Sequence, residues 1–282
     1  MAVTGTPQLD PVKQELVAEL VQRELKAAVT LLPTITDFSS LAVPGAKTIK
    51  IPKLTSFTVV NRASQAPGTP EDLSATTDDM ALDRNAYVQW IIDSFDEIQA
   101  NIPAQAEFAL RAASSHGRFV DAQIIGEMET VGVEEPSAIG DVTRDIVLAM
   151  RKQLLKRNAD KNALFMTVGP EQEEALLKID EFTRADIYGT SNIPDGMIGR
   201  VYGVNIIMNN QLADDQYFMY ERTGMSVAFQ QRANLVSETD IDYGSNARKF
   251  VLDQIFGVQG LQLGQEGVGA GESALVVKDA NA

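Results

Sequence analysis

Cysteine is absent from the 282 residues and histidine occurs once, as His116. Without cysteine there are neither disulfides nor thiolate metal sites, so stability must come from packing and subunit contacts. With a single histidine, a Ser-His-Asp triad would have to use His116, and a zinc site of the usual nitrogen and sulfur ligands cannot form. No apolar run approaches the roughly 20 residues a membrane helix needs, and the first residues lack a basic segment followed by an apolar one. A cytoplasmic chain with no membrane partner is the expectation. Bases are also in short supply: 24 against 39 acids, for a net charge of −15. That balance repels phosphate backbones and argues against sequence-specific DNA binding, though a container can enclose DNA without gripping it.

The motifs of catalysis and cofactor binding are missing as well. No G-x-S-x-G turn accompanies His116, which is expected to face solvent or an interface. There is no Gly-Lys-Ser/Thr sequence, and Gly196, Gly199 and Gly203 are spaced unlike a dinucleotide fingerprint. Asp240, Asp242 and Gly244 imitate a calcium loop only superficially, because the essential glycine position falls on Ser245. Asp78-Asp79 and Asp214-Asp215 read as solvated turns. No catalytic, cofactor-binding or metal-binding residue is nominated, and no cofactor is expected.

What is present is an ordinary globular composition, 44% hydrophobic and 22% charged, with no low-complexity linker. One or two intimately connected domains are expected. Val12, Leu16, Leu20, Ala27 and Leu31 predict a helix over 11–32, which Pro33 ends, and 34–45 read as an irregular arm. KTIKIPKL and FTVVNR predict short strands, with Pro52 holding the first at an edge. ASQAPGTPED, residues 63–72, is the expected tip, and LSATTDDMALDRNAYVQWIIDS the extended return.

Ala106, Leu110, Ala113, Gly117, Val120, Ile124 and Met128 recur at helical spacing and predict a long helix over 103–130, about 42 Å at 1.5 Å per residue. DVTRDIVLAMRKQLLKRNA predicts another helix, with Asp141 as its cap. ALFMTVG is expected as a buried strand, PEQEEALLKI as a helix, and GRVYGVNIIMNN and QYFMYERTGMSVAFQQ as strands. Residues 234–263 are strand-like, and GQEGVGAGES opens a glycine-rich tail.

Charge is blocked along the chain. Lys47, Lys50, Lys53 and Arg62 give +4 with no intervening acid; residues 71–83 carry −5 and residues 121–141 carry −6. Opposite blocks on an exposed ribbon and a long helix suit subunit pairing. The inter-subunit candidates are Lys47, Lys50, Lys53 and Arg62 against Glu127, Glu129, Glu134 and Glu135. In an extended strand Lys47 and Lys53 share one face and Lys50 takes the other.

This order of parts resembles the major capsid proteins of tailed double-stranded-DNA bacteriophages, with the Hong Kong 97-like fold. The likeness rests on VPGAKTIKIPKL, DVTRDIVLAMRKQLL, GMIGRVYGVNIIMNN and RKFVLDQIFGVQGLQL in that order. The resemblance implies an α+β fold with an N-terminal arm (1–43), an extended E-loop (44–92), a peripheral domain (93–140 and 234–264) with a long spine helix, an axial domain (141–233) and a C-terminal tail (265–282). It also implies pentamers and hexamers in an icosahedral shell enclosing DNA, a portal, and assembly in the host bacterial cytoplasm. Only about 43 residues precede the E-loop, so a scaffolding protein is expected to be a separate chain. Residues 63–72 hold no lysine for the isopeptide bonds of some members. The alternatives are an encapsulin-type nanocompartment shell and a soluble mixed α/β enzyme.

Overall fold

The computed structural model describes residues 30–54, 75–92, 104–178, 197–240, 247–264 and 269–280. The apolar runs LFMTV, VNIIM and YFMYE build the centre of a six-stranded sheet, because strands covered on both faces carry near-continuous hydrophobic sequence. Its members are β5 (Val133–Glu134), β6 (Leu164–Val168), β7 (Met197–Val201), β8 (Val204–Met208), β9 (Tyr217–Glu221) and β12 (Val276–Lys278), in the order β5-β12-β9-β6-β8-β7. On one face lie α2 (Arg144–Lys156) and α3 (Pro170–Leu177), whose Ile146, Val147, Met150, Leu154 and Leu176 join Leu164, Met166 and Val168 in a single cluster. On the other face Phe218, Tyr220 and Val276 meet Val120, Ile124 and Met128 of α1 (Ala104–Val131). The cap of α2 is Thr143, whose side chain accepts from Ile146 N; Asp141, the expected cap, lies two residues too early for that geometry. Tyr202 and Gly203 both have positive φ, +48° and +83°, as the two-residue turn between β7 and β8 demands.

The 28-residue α1 occupies the span its spacing predicts. It also covers a four-stranded sheet, β1-β10-β11-β4, made of β1 (Thr36–Asp37), β10 (Met225–Asp240), β11 (Ala247–Gly260) and β4 (Arg84–Ile92). Ala109, Ala112 and Ala113 let the helix settle onto Leu252, Val88, Trp90 and Leu235. The expected boundary at 233/234 falls inside β10, at register shifts between Phe229 and Asn234. One continuous strand thus starts in the larger cluster, with Met225, Val227 and Phe229, and runs into the smaller α1-backed one at Ala233 and Leu235.

A third sheet holds only β2 (Thr48–Leu54) and β3 (Ala75–Ala81), paired from Thr48↔Ala81 to Leu54↔Ala75. The return expected as one extended stretch breaks at Leu82 and Asp83, and β4 pairs with β11 instead. Alternation explains the break: Ala86, Val88, Trp90 and Ile92 give β4 an inward face for α1, which β3 lacks.

Two further expectations are corrected. The chain after 265 does more than trail off, since residues 274–277 are all buried and β12 pairs with both β5 and β9. ALVV is a buried run hidden behind glycines, and its last two residues open β12. His116 is 2% exposed, with Nε2 3.1 Å from the Ala86 carbonyl, because the small residues around it draw α1 down onto β4. The helix expected over 11–32, the loop tip and Arg62 lie outside the described residues, apart from the end of that helix at 30–32.

Candidate assembly interface

Period-2 alternation sorts the hairpin. Ile49 and Ile51 turn inward to Met80, Leu82 and Ala228, while Lys50 and Pro52 are exposed. Lys53 shares the inward face, and its Nζ donates to the Leu263 carbonyl at 2.8 Å. Asp78, opposite Ile51, accepts from Gln262 N at 2.7 Å. A cavity of about 490 Å³ lies at this base, lined by Ile51, Lys53, Asp78, Arg157, Glu221 and Gln262 among others. Lys50 stands directly across from Asp79, so part of the basic limb is matched by the acidic return of its own hairpin. Lys47 is exposed just ahead of β2.

The acidic block divides three ways. Asp121 is 1% exposed and accepts from Thr30 N (3.0 Å), Thr30 Oγ1 (2.9 Å), Leu31 N (3.4 Å) and Asn209 Nδ2 (3.0 Å). Burial raises its pKa, and those hydrogen bonds pull it back down. It is therefore a clasp between α1, the residues entering β1 and the end of β8, with no share in a charged surface. Its place was legible: Asp121 stands four residues after Gly117 and three before Ile124, on the apolar stripe.

Glu127 and Glu134 are engaged inside the subunit, the first with Arg84 at 3.6 Å and Gly260 N at 3.3 Å, the second with Lys278 at 3.5 Å. Arg84 also contacts Gln123. Glu135 accepts from Ser137 Oγ at 2.8 Å. Glu129 and Asp141 are exposed. Among the described residues no ion pair joins Lys47, Lys50 or Lys53 to Glu127, Glu129, Glu134 or Glu135 within one subunit.

Sequence reasoning missed the apolar part of the surface. Tyr87 (68% exposed), Val236 (52%) and Ile91 lie on the four-stranded sheet, on the side away from α1. Gln89, Val251 and Val236 share a cross-strand row there. Odd-numbered positions of β4 carried this signal, since Tyr87 and Ile91 alternate with the inward set.

Residues 41–252 match the model of a family described as phage capsid protein. The chain belongs to that family. Among solved structures it is similar to one from Mycobacterium phage Che8, with a TM-score of 0.71 and 18% identity over 89% of this chain and 91% of that one. A capsid structure of cyanophage P-SCSP1u gives a TM-score of 0.67 at 12% identity, covering 90% and 89%. A virus-like particle from Pyrococcus furiosus gives 0.62 at 10% identity, covering 94% and 98%. No curated protein matches the sequence. The α+β architecture is the Hong Kong 97-like capsid fold, and the protein is a major capsid protein whose role is to form the virion shell by oligomerising. Neither the nanocompartment nor the enzyme alternative is better supported.

Proposed function

We propose that this capsid protein assembles through pentamers and hexamers into the icosahedral head of a tailed phage, enclosing double-stranded DNA without reading its sequence. The observation that carries this is the open side of the molecule: a two-stranded hairpin with little core, beside a sheet face where Tyr87 and Val236 stand in water. The six-stranded sheet with α2 and α3 serves as the axial domain, α1 with the four-stranded sheet as the peripheral domain, and β2–β3 as the E-loop, with residues 1–43 assigned to the arm. The role is structural rather than catalytic. A portal and a separate scaffolding protein complete the assembly, which takes place in the host bacterial cytoplasm.

At the residue level, the exposed Lys47 and Lys50 lead the E-loop contact, joined by Arg62, and meet Glu129 and Glu134 of a neighbour. Lys53, Glu127 and Glu135 support it from inside the subunit, given their own hydrogen bonds. Negative-stain microscopy and sedimentation of the purified protein, alone and with the other head proteins, should show closed shells or capsomers. A strictly monomeric protein across concentration, salt and scaffold addition would overturn the reading.

A further inference from the structure

Two guanidinium groups from different elements converge at the β7–β8 turn. A Cβ built on Gly203 would lie 3.7 Å from Arg151 Nη2 and 4.0 Å from Arg200 Nη2. Arg144 adds a third, 6.0 Å from the centre of the Tyr202 ring. Arg151 Nε is buried without a hydrogen-bond partner, and among the described residues no carboxylate pairs with Arg151 or Arg200. Like charges brought together repel unless an anion joins them, and guanidinium forks bind carboxylates in pairs.

The surroundings say what kind of anion fits. Arg144, Leu148, Arg151, Lys152 and Leu155 follow helical spacing on one side of α2, opposite the buried Ile146, Val147, Met150 and Leu154. Leu148, half-buried between Arg144 and Arg151, and the exposed Leu155 beyond Lys152 favour a protein face over a phosphate backbone, which offers nothing apolar. The same body carries the complement. On α3, Glu171 and Glu174 are exposed beside Leu177, 46% exposed, with Glu173 half-buried. Gln172 Nε2 donates to the Asp214 carbonyl at 2.9 Å, bringing Asp214 and Asp215 to the start of that helix. Glu171 and Glu174, three residues apart, share one exposed face of the helix, and the Glu174 ion pair with its own Lys178 at 2.8 Å is itself exposed and open to exchange for a neighbour's cation.

We propose that the Arg151 and Arg200 site receives the acidic face of α3 from a second copy of this chain. The two patches differ, so the contact is head to tail, and repeating it closes a ring. This deepens the shell-forming reading and rests on it.

The test is a pair of charge reversals. Arg151→Glu with Arg200→Glu, and separately Glu171→Lys with Glu174→Lys, should each cut the yield of shells at low salt at least tenfold by sedimentation. Thermal unfolding of the dissociated subunit should move little. The fourfold variant carrying both reversals should recover shells. If Arg151 proves necessary for folding, the exposed Arg200→Glu with Glu171→Lys as its rescuer decides the same point. Normal shells from both reversed pairs, or a folded fourfold variant that stays unassembled, would overturn the contact alone. Normal shells that have lost their DNA would assign the arginines to packaged nucleic acid and overturn it too. Absence of shells from the unaltered protein would overturn the shell reading and this contact together.

Discussion

β9 and β2 are both short strands, and they keep very different company. Every residue of β9 is buried, with Tyr217, Phe218, Met219 and Tyr220 fully enclosed between α1 on one side and α2 with α3 on the other. Across Thr48–Lys53 of β2 only Ile49 is buried, and the other five residues there are half or fully exposed. A strand covered on both faces holds its geometry unaided, whereas a lone hairpin is marginal in water. The lesson is a division of labour: the layered body stores the folding free energy, and the hairpin waits for a neighbour to complete it.

Cutting equivalent apolar volume from each region should separate the two most clearly. Leu164→Ala, in the core between β6 and α2, should cost about 3 kcal/mol in urea unfolding of the dissociated subunit. Ile49→Ala should cost less than half of that. Equal losses would show the hairpin to be as consolidated as the body.

Next in size is the clasp at Asp121. Asp121→Ala strands the donors of Thr30, Leu31 and Asn209 and should cost about 2 kcal/mol, with faster amide exchange at Leu31. The pH dependence has a definite sign. Burial raises the native pKa above the ordinary 3.8, so in the window above 3.8 the native state holds more protons than the unfolded one. Stability should therefore fall as pH rises through that window and then level off, and Asp121→Asn should remove the slope. His116 acts in the opposite sense: burial lowers its pKa from 6.5, so stability should decline as pH drops below 6.5.

A smaller effect tests how the residues entering β1 are fastened to the body. Thr167 Oγ1 donates to the Tyr220 hydroxyl (3.3 Å), which donates to Thr34 Oγ1 (2.6 Å), which donates to the Leu31 carbonyl (2.7 Å). Tyr220→Phe breaks this chain in the middle and should cost about 1 kcal/mol in denaturant titration.

The smallest change in the subunit should come from Lys47→Glu with Lys50→Glu, about 0–1 kcal/mol, because both side chains are exposed. Shell formation should nonetheless fail at low salt, with partial rescue by Glu129→Lys and Glu134→Lys. Normal assembly of the lysine variant would sink the electrostatic model of the hairpin.

How much of this was legible follows from how local each signal is. The span of α1 could be read because its stripe repeats over many turns, and β6 and β8 because each is a compact apolar run. The join of β4 to β11 was obscured by the apparent continuity of the segment after the hairpin, although the alternation in RNAYVQWII held the clue. Charge blocks misled in part, since adjacency in sequence cannot show that Lys50 faces Asp79 or that Asp121 is buried. The pairing of Arg151 with Arg200 was invisible, as it arises only when α2 is laid beside the β7–β8 turn.

β12 has one more consequence, and it concerns time. This strand follows β11 in the chain yet sits inside the six-stranded sheet, between β5 and β9, rather than at its margin. A chain emerging from the ribosome can pair β6 with β8 and β9 early, but the slot beside β9 stays vacant until residues 276–278 appear. Synthesis order thereby acts as a clock: an unfinished polypeptide lacks the strand that joins β5 to β9, and the sheet is complete only when nearly all of the chain has been made.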